Sequence, residues 1–390
     1  MKSSKQDRFP LAQRGMTLVE VMVGLAIGMI GMLVIFQTVS VWDARTRATV
    51  AGSDSQTTGS IAMFSIERDL RLAGQGFGGA EPAIMGCQVS GFDQNASGPL
   101  AFPMTPVVIV DHDATNQPDE IATLYGTSAY FTSQTTYSRV TAQTVSTYDR
   151  TGFKSGDLAV IANLGTGAPG SADCQLVEVT DNSAPADPKT MGFIQGSYAH
   201  FYSNGSNLPS RFNTAAGVGA SFPSGTAYSL GPLPRRNVWR IASGVLGTVD
   251  EIGLGVNGSV FAPIAEGVVD MKAEYGYDTN PDPAVLTVAW TKTLPAPIDW
   301  TTVRAVRVAL LVRSRNFERP ATNATEQNYS APNPVWHANG GAAQVNFVMH
   351  NVDGTADSHA PGDPSPNNWR NYRYTVYEKV FPLRNVIWGQ

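Results

Sequence analysis

Between Met16 and Trp42 nearly every position is apolar, and the one ionisable residue in that run is Glu20. An α-helix rises about 1.5 Å per residue and some 20 residues cross a bilayer's hydrocarbon core, so this run predicts a spanning helix with length to spare. Past Trp42 the pattern changes: Met63, Ile66, Leu70 and Ala73 recur at helical spacing as a single stripe among polar residues. The helix is therefore expected to run from about 16 to 73, its second half amphipathic and able to lie on a sheet. Gly52 and Gly59 are expected to weaken it locally, and Gly74, Gly76, Gly78 and Gly79 to end it.

After Gly79 the period shortens. Runs at 106–110, 120–125, 157–162, 175–179, 286–290, 303–312 and 372–383 are short, apolar or alternating, and separated by Gly, Pro, Asp and Asn. The clearest alternation is 269–277, where Val269, Met271, Ala273, Tyr275 and Tyr277 share one face and Asp270, Lys272 and Glu274 the other, predicting a half-buried antiparallel strand. In 303–312 Val306, Val308, Leu310 and Val312 are expected to point inward. Stretches 181–235 and 316–368, rich in Ser, Asn, Pro, Ala and Gly, read as long linkers. No internal repeat appears, and no boundary divides the body into two domains.

Composition agrees with a loop-rich β body: charged residues are 15% of the 390, with 38 Gly and 25 Pro. The net charge is −5, and because Lys2, Lys5, Arg8 and Arg14 stand against Asp7 in the first fifteen residues, the remainder stands at −8. That acidic remainder has no footprint for direct contact with nucleic acid. The basic start ahead of the apolar run predicts a cytoplasmic amino terminus and an exported body. Cys87 and Cys174 have no zinc spacing; in an oxidising compartment they would pair, the other reading being two buried thiols.

A secretory signal has an apolar core of about 7–15 residues and its cleavage site beyond it, unlike this longer run. A plain anchor has no use for Glu20, since a carboxylate inside the bilayer costs several kcal/mol, about 2.5 or more, unless paired. The residues Arg14-Gly15-Met16-Thr17-Leu18-Val19-Glu20 resemble the class III signal of type IV pilins and pseudopilins. The resemblance implies that a prepilin peptidase cuts after Gly15 and methylates Met16, that Thr17, Leu18, Val19 and Glu20 serve assembly, and that Glu20 pairs with a neighbouring subunit's amino terminus. Two departures stand out: Met rather than the usual Phe at the first mature position, and a fairly long leader. Gly24 and Gly28 form a GxxxG, readable either as a helix-packing face or as a flexible turn.

A second resemblance is to the PilW family of large minor pilins. It is carried by 65–74 (SIERDLRLAG), 266–276 (EGVVDMKAEYG), Asp299-Trp300 with 303–308 (VRAVRV), and Leu383-Arg384-Asn385. It implies an α+β pilin fold, one long amino-terminal helix on an enlarged antiparallel β-domain. The implied divisions are 1–15 leader, 16–42 membrane half of the helix, 43–79 amphipathic half and Gly-rich exit, and 80–390 exported domain. It also implies a noncatalytic subunit without cofactors, whose partners are other minor pilins, the major pilin, the prepilin peptidase, a pilus-tip adhesin and the inner membrane. A type II secretion tip pseudopilin and a membrane-anchored periplasmic enzyme or binding module are the alternative readings. Residues 80–260 match no family pattern.

Other chemistry is thin. Gly165, Gly167 and Gly170 form a GxGxxG with Pro169 where a phosphate-binding helix should start, so a turn is expected. His112, His200, His337, His350 and His359 are scattered, without zinc-enzyme spacing, and no GxSxG is present. Asp278, Asn280 and Asp282 alternate like the first half of a calcium loop but lack its Gly and closing Glu, so a polar hairpin turn is the default. Arg304, Arg307, Arg313 and Arg315 read either as a basic stripe for a partner or as the solvated face of a sheet.

Overall fold

The structure, a computed structural model, describes residues 17–95, 98–130, 134–181, 188–218, 223–253, 260–280, 282, 285–318 and 331–389. The chain divides into an amino-terminal unit, Met1–Ser53, and a body, Asp54–Gln390. One helix, Leu18–Leu72, supplies the first unit's described structure and the body's opening segment. It stops where expected: Gly74 and Gly76 adopt positive φ of 82° and 92°, open to glycine at little cost.

Within the body the expected stripe is buried. Ala62, Met63, Ile66, Leu70 and Ala73 pack with Val107, Ile121, Trp239, Met271, Val306 and Phe381 in one core. Each large aliphatic side chain buried here is worth about 1.5–3 kcal/mol, so this face alone holds the helical segment down. Gly59 is no weak point: a Cβ there would collide with the ring of Tyr377, so the glycine lets helix and strand approach closely.

Three sheets make up most of the body. A five-stranded antiparallel sheet runs Ala262–Glu266, Val245–Asp250, Arg235–Ala242, Glu120–Tyr125, Val107–Val110, and a four-stranded one runs Val288–Thr291, Val268–Asp278, Val303–Arg313, Tyr374–Pro382. Both contribute to the core that takes the helix. The eight-stranded sheet is antiparallel except where Gln88–Asp93 meets Cys174–Glu178 in parallel. Its two faces carry separate cores, around Cys87, Phe102, Val160 and Leu176, and around Tyr137, Ile161, Val177 and Phe193. The architecture is α+β with predominantly antiparallel sheets.

Two expectations need correction. The strand Val268–Asp278 is buried on both faces: Asp270, Lys272 and Glu274 are within 4% of full burial. A hairpin of Val335–Ala338 and Ala343–Asn346 lies over the far face, packing Trp336 and Phe347 against Ala309 and Leu311. A bulge between Val268 and Asp270 also moves Val269 off the inward row to that covered face. The presumed linkers carry structure as well: 181–235 contains Thr190–Gly192, Ser197–Ala199, Asn207–Pro209 and Gly225–Gly231, and 316–368 contains the covering hairpin. Three of these strands have only three residues, too few for an alternation to show, and Gly225–Gly231 is buried along almost its whole length and so does not alternate.

Candidate functional site

In the amino-terminal unit Thr17 precedes the first helical turn. Its backbone N–H and its hydroxyl each donate to Glu20 Oε2 at 3.2 Å, and the Glu20 N–H donates to Thr17 Oγ1 at 3.3 Å. This is a capping box, which satisfies helix-end donors that otherwise lack partners in an apolar environment and sets a negative charge at the positive end of the helix dipole. The same Thr-Leu-Val-Glu that reads as an assembly motif also spells this cap, a signal visible in the sequence. Leu18–Asp43 is the one span among the described residues long and apolar enough to cross a membrane, and none of it is buried. Leu18, Val19, Gly24 and Gly28 lie on this exposed helix, and among the described residues nothing beyond the helix's own nearby backbone comes within 4 Å of a Cβ built at either glycine. Gly15 and Met16 lie outside the described residues.

The body grips its own helical segment by polar contacts the sequence did not announce. Asp69, fully buried, accepts from Asn237 Nδ2 at 2.7 Å, Trp239 Nε1 at 3.0 Å and the Tyr125 hydroxyl at 3.4 Å. Burial raises its carboxyl above the usual range, opposed by these donors and by Arg68; the Tyr125 hydroxyl is likewise pushed up to about 12 by burial and by Asp69. An acid near the negative end of a helix, beside Ile66, Leu70 and Ala73, is the sequence signal that could have marked it, since the dipole disfavours it there. On the exposed flank Glu67 accepts from Lys379 at 2.6 Å and pairs with Arg71.

The helix end is closed by the far end of the sequence. Asn385 Nδ2 donates to the carbonyls of Leu72 and Ala73, each at 3.0 Å, groups that no residue within the helix can satisfy. Gly78 and Gly79 pack so tightly on Asn385 and Gly389 that a Cβ at either would overlap their backbone. Trp300 meets Tyr275 edge to face at 5.8 Å, and Asp299 caps the short turn that holds it, accepting from Thr301 N–H at 3.0 Å. The Tyr275 hydroxyl accepts from Ile109 N–H at 2.5 Å and so joins the five- and four-stranded sheets.

Cys87 and Cys174 form a disulfide with Cα atoms 6.1 Å apart, inside one core of the eight-stranded sheet. Asp278 and Asn280 spend their Oδ1 atoms on backbone N–H groups: Asp278 accepts from Asn280 and Thr287, and Asn280 from Asp282. That is a turn built by side chains rather than a cation cage. Asp111, Asp113 and Asp119 do bring carboxylate oxygens within 4.8 Å of one another, but Lys272 Nζ stands 2.7 Å from Asp113 and Lys292 pairs with both Asp113 and Asp111. The ammonium groups hold the place a cation would take. Desolvation beside this cluster pushes Asp270 up to about 7, against the pull of Lys272. Arg307 is buried between Glu378 and Glu274, Arg315 pairs with Glu266, Arg304 lies 3.9 Å from Asp278, and Arg313 lies over Tyr372, so the four arginines form no stripe. The GxGxxG is a turn between Leu158–Asn163 and Cys174–Glu178, all three glycines at positive φ.

Two family models match the chain, at its two ends. Residues 11–36 match the prokaryotic N-terminal methylation motif, and residues 254–385 match type IV pilus-assembly protein W, PilW. The two ends of the chain are thus similar to type IV pilin-like proteins, the carboxy-terminal third to the PilW family. The PilW stretch contains the four-stranded sheet, its covering hairpin, Trp300 and Asn385, so the family's resemblance falls on the parts that receive and close the helix. No curated protein matches the chain. Among solved structures it is similar to a type IV-like pilin from Thermus thermophilus, at 12% identity and a TM-score of 0.19, over 39% of this chain and 66% of that one. The chain thus spans just under two thirds of that pilin, and so slight an overlap does not bear on the fold.

Proposed function

We propose that this chain is a minor pilin, a noncatalytic subunit inserted in a bacterial inner membrane, cut after Gly15, N-methylated at Met16 and built into the base or tip of a type IV pilus. The observation that carries the reading is the helix Leu18–Asp43, predominantly apolar with Glu20 near its start, yet exposed along its whole length. Such a surface requires lipid or neighbouring helices as cover. In the membrane the cover is lipid; in a filament it is the corresponding segment of other minor pilins and the major pilin, approached along Gly24 and Gly28. Glu20, held by Thr17 in the lone chain, exchanges that partner for the methylated amino terminus of a neighbour, each charge compensating the other. The divisions follow: leader 1–15, membrane half 16–42, amphipathic half and exit 43–79, and a periplasmic then extracellular domain 80–390 that supports adhesion, twitching or DNA uptake, with a tip adhesin as a partner.

Mass spectrometry of the mature amino terminus tests processing: loss of fifteen residues with a methylated Met16 is expected, and an intact leader overturns the proposal. Glu20→Ala should leave the body folded and reduce recovery of the chain in sheared pili; undiminished recovery refutes the role given to Glu20. Recovery instead with secretion-system pseudopilins would transfer the chain to type II secretion.

A further inference from the structure

Outside both stretches of family similarity, an open depression of about 530 Å³ lies in the body between residues 148–155 and Phe201. Two aromatic rings on its rim are left in solvent, Tyr148 at 64% and Phe201 at 53% exposure. Exposed rings of this size are either unused surface or a contact for something apolar. Phe201 is anchored: it meets Tyr202 edge to face at 5.1 Å, and the Tyr202 hydroxyl donates at 2.7 Å to the buried carboxylate of Asp157. That side of the ledge is therefore held in place.

Beside the ledge stands a cation with aromatic neighbours. Lys154 Nζ lies 5.0 Å from the centre of the Tyr130 ring and 5.9 Å from that of Phe201, and among the described residues no carboxylate lies within ion-pair distance of it. Arg150, by contrast, is engaged by Asp181 at 2.6 Å and by the Thr190 carbonyl at 2.8 Å. Asp149 is fixed by the Thr151 N–H and hydroxyl at 2.9 and 2.6 Å and keeps lone pairs for further donors. Flat rings, an oriented carboxylate and the Lys154 ammonium meet in a hollow of ordinary ligand size that Lys189 also lines.

We propose that this hollow binds a short saccharide bearing a carboxylate. A sugar ring stacks its C–H face on Phe201 and Tyr148, its hydroxyls donate to Asp149, and its carboxylate pairs with Lys154. An acidic peptide would use the ammonium but would leave the two open rings and the lone pairs of Asp149 without partners. The proposal is independent of the assembly reading, since the hollow belongs to the body alone.

The test is calorimetric titration of the full chain in detergent micelles with sialyllactose, and with lactose as the neutral control. Sialyllactose should bind, and lactose about tenfold or more weakly, the worth of one charge-assisted pair. Lys154→Gln should bring sialyllactose to the level of lactose without altering lactose itself, and Phe201→Ala should abolish binding of both while the circular dichroism stays that of wild type. The proposal is overturned if neither sugar binds, if Lys154→Gln leaves the difference intact, or if binding survives Tyr148→Ala/Phe201→Ala. It is equally overturned if a glutamate-rich peptide binds through Lys154 without regard to either ring, which would make the site a peptide contact.

Discussion

Replacing Asp69 by alanine would strip the acceptor from the buried polar clasp between helix and sheet. Trp239 Nε1 would be left buried with no partner, while Asn237 Nδ2 would keep only the Tyr125 hydroxyl at 3.3 Å. Two orphaned donors, the Trp239 N–H and the Tyr125 hydroxyl, and one weakened, against relief of a desolvated carboxylate, give a loss of about 3 kcal/mol. Asp69→Asn differs: its oxygen can sit where Oδ2 accepts from both Asn237 and Trp239, and its amide can donate to Tyr125, so the cost should stay below about 1 kcal/mol. Burial raises the Asp69 carboxyl above 3.8, so the folded chain holds that proton more tightly than the unfolded one, and stability declines as pH rises from about 3.8 through the raised value. The Asn variant should lack this decline. The assay is urea unfolding of the full chain in micelles, followed by tryptophan fluorescence. With a slope of roughly 3 kcal/mol/M for a body this large, Asp69→Ala should lower the midpoint by about 1 M. An alanine midpoint equal to wild type, or an Asn variant as damaged as the alanine, would refute the clasp.

Three further outcomes are expected. Gly59→Ala should destabilise the chain by about 1 kcal/mol, its collision with Tyr377 outweighing the helix propensity gained; in a Tyr377→Leu background the same change should become stabilising, both read from thermal unfolding. The Cys87–Cys174 bridge spans 87 positions, a closure worth at most about 4–5 kcal/mol by chain entropy, so a reductant should lower the wild-type melting temperature and leave Cys87→Ser/Cys174→Ser unmoved. Asp270, pushed up to about 7 from 3.8 by burial, makes the native state hold more protons than the unfolded one between those values. Stability should therefore fall as pH rises from about 4 to 7, by on the order of 4 kcal/mol, and Asp270→Asn should flatten that fall in denaturation midpoints measured across the window.

What could be read in advance was whatever is encoded locally. The stripe Met63, Ile66, Leu70 and Ala73, the glycine stop, and the strands at 120–125 and 303–312 need only their own periods to be seen, and they emerged within a residue or two. Asp270, Lys272 and Glu274 were misplaced because a polar-looking hairpin some 60 to 75 positions later covers their face, something no alternation within the strand can signal. The clasp at Asp69 was hidden for the same reason, its partners Asn237 and Trp239 lying 168 and 170 positions away. Glu20 is the opposite case: its bond to Thr17 is local and spelled in the motif.

The way the helical segment is tied down also fixes how it yields to force. Met63, Ile66, Asp69 and Leu70 are spread along the segment, and Lys379 and Asn385 grip it at its flank and its end. A pull along the segment's axis loads these attachments together, in shear, so that none parts before the others carry tension. A pull across the axis would open them in turn, like a zip. A body fastened in this manner withstands a lengthwise pull on its helical segment far better than a sideways prise.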